Sequence, residues 1–150
     1  MKTNPRRRAR ELVLQGLYER QQGGTAPEQI GADLRASIGH QRADQIYFAE
    51  LWSGVTRDQD ALIERIAPHL DRKASGLSPI EKALLVIGAW ELVNRLEIPY
   101  RVVINEAVEL AKAYGGTDGH KFVNGVLDKV AADVRADEIA ALARERDAHA

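Results

Sequence analysis

The chain has 150 residues, enough for one domain or two small subdomains sharing an interface, and enough to bury roughly two-thirds of its unfolded surface. It has no cysteine, which excludes disulfides and thiolate chemistry, and no run approaching the ~20 apolar residues of a membrane span. No apolar stretch follows the charged N-terminus as a secretory signal requires, so the expectation is a soluble cytoplasmic protein.

The net charge of −1 conceals an asymmetry. Lys2, Arg6, Arg7, Arg8 and Arg10 fall in the first ten residues with no acid among them, whereas the tail from Asp133 holds five acids against three arginines. One end looks built for an anion, although the whole molecule does not.

In chain order, the spacing predicts a first helix from about Arg6 to Gln22, stopped by Gly23-Gly24. A second starts near Pro27 and ends before Gly39. The next runs from about Ala43, breaking near Thr56, with a shorter helix from Gln59 to Leu70. Ser78 followed by Pro79 supplies an N-cap and a first-turn proline for a helix to about Leu96. That helix contains ALLVIGAW, apolar nearly all round, and should be central. Pro99 begins another, ended by Gly115-Gly116, and Asp118 caps the last well-defined one. Nothing reads as a strand, since Val102, Val103 and Ile104 lead directly into the helical spacing of NEAVELAKAY. The expectation is an all-α fold of about seven helices. The polar connector around Asp71 to Ser78 divides an N-terminal bundle (1–74) from a C-terminal one (75–136), and 137–150 form a loose tail, rich in Ala, Arg and Glu, that could be a loose helix.

The search for catalytic chemistry returns little. The four histidines (His40, His69, His120, His149) are scattered without metal-ligand spacing, and no serine sits in an elbow motif. Glu106 and Glu109 share a face and could do acid–base work, but a solvated or partner-facing edge explains them better. The residues describe neither an enzyme nor a metal or cofactor site.

Two places remain. In PRRRARELVLQGLYERQ, Ala9, Leu12, Val13, Gly16 and Leu17 give a core face, while Arg7, Arg10, Leu14 and Tyr18 lie along another. Positive charge at a helix start opposes the dipole, so four arginines accumulated there point to an external anion. Arginine's planar fork suits phosphate oxygens and can stack on a base. The second place is GTDGHKFVNGVLDKV. A helix start offers free N–H groups to phosphate; Gly115, Gly116 and Gly119 keep it open, and His120 and Lys121 add donors. Phe122 stands roughly 100° off the apolar stripe of Val123, Val126, Leu127, Val130 and Val134. It either covers a neighbouring helix or offers its face to a base. Gly125, on the outer face, suggests a close approach by something else. Together the two basic features favour single-stranded RNA over duplex, because no recognition helix is evident.

RRRARELVLQGLYERQ, DRKASGLSPIEKALLVIGAWEL and IPYRVVINEAVELAKAYGGTDGHKFVNGVLDKV, in that order, resemble the NusB family. The resemblance leaves out only residues 23–43 and the tail. It implies two three-helix bundles packed at an angle, and a non-catalytic transcription antitermination factor. Such a factor binds the boxA element of nascent RNA with the small-subunit ribosomal protein NusE, and keeps RNA polymerase from terminating early in ribosomal RNA operons. It further implies that Lys2, Arg6, Arg7, Arg8 and Arg10, with Asp118, His120, Lys121, Phe122 and Asn124, form the RNA surface. Tyr18 and Glu81 would face NusE. Pairing of two copies through the RNA-facing side is left open, and a helical protein–protein scaffold without RNA binding is the alternative.

Overall fold

The computed structural model describes residues 4–71, 73 and 76–149. They form eight α-helices: α1 (Pro5–Gln22), α2 (Pro27–Arg35), α3 (Ile38–Gln41), α4 (Gln45–Ile66), α5 (Pro79–Asn94), α6 (Tyr100–Tyr114), α7 (Gly119–Val134) and α8 (Ala136–Ala148). A 3-10 turn, Ala67–His69, closes α4. The described residues contain no strand.

The helix starts follow their local chemistry. The Asn4 side chain accepts from the backbone N–H groups of Arg6 and Arg7 at 3.0 and 3.1 Å, and Pro5 takes the first helical position. Gly23 and Gly24 stop α1 with φ of +83° and +90°, a region that side chains disfavour. At α5, Ser78 Oγ accepts from the Glu81 N–H at 3.2 Å, while Glu81 Oε2 accepts from the Ser78 N–H at 3.4 Å. This reciprocal capping box satisfies two N–H groups at one helix end.

One expectation needs correction. The helix from Gln45 does not break near Thr56. The Thr56 hydroxyl donates back to the Trp52 carbonyl at 2.7 Å, so its polar group is satisfied within the helix, and the apolar period continues to Leu62 and Ile66. The segment after Pro27 ends at Arg35, and a separate turn of helix, α3, precedes Gln45. The tail is helical and anchored at its start: Glu138 accepts from the Tyr100 N–H at 2.8 Å, joining α8 to the first turn of α6. Beside it, buried Arg135 donates to the carbonyls of Leu92, Ile98 and Arg95 at 2.7, 2.9 and 2.9 Å, capping the end of α5 with one guanidinium.

Helix α5 is central, as its sequence demands. Every residue from Ala83 to Leu92 is buried, and α5 packs against α1, α4, α6 and α7. The contact with α4 depends on Gly54. A β-carbon there would lie 2.1 Å from Trp90 Nε1, so only a glycine admits the indole. The buried side chains of α1, α2 and α4–α7 form one continuous core. No helix among the described residues is long and apolar enough to cross a membrane.

Candidate nucleic-acid interface

The first turns of α1 present the arginines, but not equally. Arg6 and Arg7 keep about two-fifths of their side chains exposed, at 41% and 43%. The Arg6 guanidinium lies 4.3 Å from the centre of the Tyr47 ring, a cation–π distance, and 3.9 Å from Asp44. Arg7 Nε donates to Glu106 Oε2 at 2.6 Å, and that bond holds the Arg7 pKa above its ordinary value. Arg8 is half-buried, its Nε enclosed without a hydrogen-bond partner. Lys2 lies outside the described residues.

Arg10 is corrected. It is 2% exposed and cannot reach an RNA phosphate. Its Nε and Nη2 meet the two oxygens of Glu91 on α5 at 3.0 and 2.9 Å, a bidentate pair inside the core. The Tyr47 hydroxyl donates to the same carboxylate, and Glu106 lies 3.9 Å from Arg10 Nη1. Burial works against the charge on Arg10, but the bonds to Glu91 outweigh it and raise its pKa. Burial and the Glu91 carboxylate together push the Tyr47 phenol well up, so it stays a donor. Glu106 is likewise no solvated edge, at 8% exposed and bonded to Arg7. Leu14 also turns inward, leaving Tyr18, 44% exposed, as the outward residue of that row.

The second place sits where α7 begins. Asp118 holds the N-cap position, yet its side chain makes no capping bond and lies 3.6 Å from Lys121 Nζ instead. Lys121 and Asn124 are exposed and His120 is half-buried. Phe122 is half-buried and packs against the core, so part of its ring covers the helix flank. Gly125 is exposed, and among the described residues nothing outside its own turn of helix would lie within 4 Å of a β-carbon placed there.

Helix α6 connects the two places. Its Glu106 is bonded to Arg7, the Tyr114 hydroxyl at its end donates to Glu11 of α1 at 3.0 Å, and the loop that follows leads into α7. Tyr114 was not singled out from the sequence. Its position at a helix end, 52% exposed, gives only a weak signal there. With Arg8, Glu11, Gln15, Tyr18 and Ile80 it lines an open groove of about 490 Å³. Glu81 stands beside the start of α7, where a β-carbon at Gly119 would lie 3.4 Å from its Oε1. Of the two expected partner-facing residues, Tyr18 thus lines the groove, and Glu81, engaged in its capping box, stands beside the start of α7. Among the described residues, no group of three acidic, histidine or cysteine side chains is placed to hold a metal.

The family model for NusB matches residues 7–132, which takes in α1 through most of α7. The chain belongs to the NusB family. It is 54% identical to the transcription antitermination protein NusB of Paraburkholderia xenovorans, over 94% of this chain and 97% of that one. It is 53% identical to the protein of the same name from Dechloromonas aromatica, over 91% of this chain and 83% of that one. A solved structure of T. maritima NusB superposes with a TM-score of 0.68 at 29% identity, covering 87% of this chain and 92% of that one. The matched residues take in Arg7, Arg8, the Arg10–Glu91–Glu106 network and the start of α7.

Proposed function

We propose that this chain is a non-catalytic antitermination factor that binds single-stranded boxA RNA of ribosomal RNA operons together with the ribosomal protein NusE. In that role it suppresses premature termination by RNA polymerase. The relatives' shared name supports the antitermination role. The observation that carries the RNA reading is the first turn of α1. Arg6 and Arg7 keep about two-fifths of their side chains exposed at a helix end where the dipole disfavours them, and Arg7 is bonded to α6, the helix that leads into α7.

In this reading Arg6, Arg7 and Arg8 take phosphates. The start of α7, with the side chains of His120 and Lys121, takes another. Phe122, half-buried, stacks one base, while Asn124 and Asp118 flank it. Arg10 is assigned to holding the arm and not to contacting RNA. The groove beside Tyr18 and Tyr114 receives NusE; its aromatic lining is the kind that anchors protein interfaces.

The experiment is a binding titration with boxA RNA and a scrambled control, with and without NusE. The proposal predicts tighter binding to boxA than to the control, and a further gain when NusE is present. If NusE binds normally while RNA binds neither the chain nor the pair, the protein-only scaffold is the correct reading.

A further inference from the structure

We infer that Glu106 is a positioning residue for RNA binding: from beneath the arm it holds Arg7 by one edge of its guanidinium, so that the other edge is presented to a phosphate. This rests on the RNA-binding reading above and adds to it a residue that does not itself touch RNA. Three observations carry it.

First, the contact is made by Nε alone, at 2.6 Å, while the Arg7 side chain remains 43% exposed. A guanidinium carries five N–H donors, so a carboxylate at Nε leaves the terminal amino groups for a second acceptor. Second, the carboxylate is itself fixed. Glu106 is 8% exposed, and Arg10 stands 3.9 Å behind it, locked by two bonds to Glu91. Third, the neighbouring Arg6 is seated comparably, with its guanidinium over the ring of Tyr47, whose hydroxyl is bonded to Glu91. The arm therefore rests on one continuous network, Arg6–Tyr47–Glu91–Arg10–Glu106–Arg7, and its charges are ordered before any ligand arrives. Pre-ordering removes the loss of side-chain freedom that binding otherwise incurs.

A carboxylate next to a phosphate site would ordinarily repel RNA, and this makes the inference testable in sign. Glu109, three residues along α6, also acts on Arg7 through its charge but is 50% exposed and paired with Lys112. Glu106→Met and Glu109→Met make the same change in charge and keep side-chain length.

The experiment measures boxA RNA affinity for these two variants, Arg7→Lys and Arg7→Ala, alongside their melting and NusE binding. Glu106→Met should weaken RNA about three- to tenfold, the effect of ordering one long side chain on binding, with NusE affinity retained. Glu109→Met should bind as tightly as wild type or tighter. The Arg7 Nε proton signal should lose protection in Glu106→Met while that of Arg10 stays. Arg7→Lys, which keeps a cation for Glu106, should also lose affinity, because an ammonium lacks the planar fork that grips Glu106 by one edge and a phosphate by the other. Should Glu106→Met be too unstable to assay, Arg7→Lys decides alone. Wild-type or tighter binding by Glu106→Met, or by Arg7→Lys, would overturn the inference. If instead Arg7→Ala binds RNA normally, the arm reading itself fails at this residue.

Discussion

The start of α1 and the start of α7 are both cationic helix ends with an aromatic ring close by, yet they are built in opposite ways. At α1 the guanidinium groups are tied to buried anions: Arg7 to Glu106, Arg10 to Glu91, with Tyr47 in contact with both Arg6 and Arg10. At α7 Lys121 pairs with Asp118, 3.6 Å away and itself exposed. A charge seated on the core contributes to the fold as well as to a ligand. A charge standing in water contributes to the ligand alone, since exposed pairs are worth little.

The sharpest way to separate the two regions is Arg10→Ala. It strands the buried Glu91 carboxylate and should lower stability by about 3–5 kcal/mol, read as a large drop in the denaturation midpoint. If stability barely changes, the seated-arm description is wrong.

Phe122→Ala tests the other end. Loss of a stacked base should weaken RNA binding by about 1–3 kcal/mol while the slope of log affinity against log salt stays constant, because no phosphate contact is removed. An unchanged affinity would leave the ring with its helix-covering role only.

Tyr47→Phe should cost about 1–2 kcal/mol through the lost bond to Glu91, and it should change the alkaline behaviour. The folded protein holds the phenol proton beyond its ordinary pKa through burial and the Glu91 charge. The unfolded chain releases it near pH ~10. Stability from this group is therefore complete below that pH and declines as pH rises past it. The variant should lack that decline in denaturant melts taken between neutral and strongly alkaline pH.

Smallest is Lys121→Ala, which should leave stability within about 0.5 kcal/mol and lower the salt slope by about 0.7, one phosphate on a single strand. A clear stability loss there would erase the contrast with α1.

Much of this was legible in the sequence because it is local. Ser78-Pro79 marks a helix start by chemistry that acts within three residues, and ALLVIGAW marks the central helix by leaving no polar face. The overlooked features are those whose partners are distant. Arg10 and Glu91 are 81 positions apart, and Arg7 and Glu106 are 99 apart, so no spacing rule joins them. One signal was present. Glu91 follows directly on the apolar run of α5, and a lone carboxylate on a helix buried all round requires a buried cation. The only arginine-rich segment lies in α1. Reading that demand would have taken Arg10 off the RNA surface. The anchoring of the tail escaped for the same reason, since Glu138 of α8 accepts from the Tyr100 N–H, a contact that composition does not reveal.

The central claim, that ordered guanidinium groups at the start of α1 bind an unpaired RNA strand, is tested most directly by the salt dependence of boxA affinity. The measurement compares wild type with the double variant Arg6→Ala/Arg7→Ala. Two phosphate contacts removed should lower the log–log slope by about 1.4, at about 0.7 for each. A double variant that folds normally and keeps the wild-type slope and affinity would contradict the account.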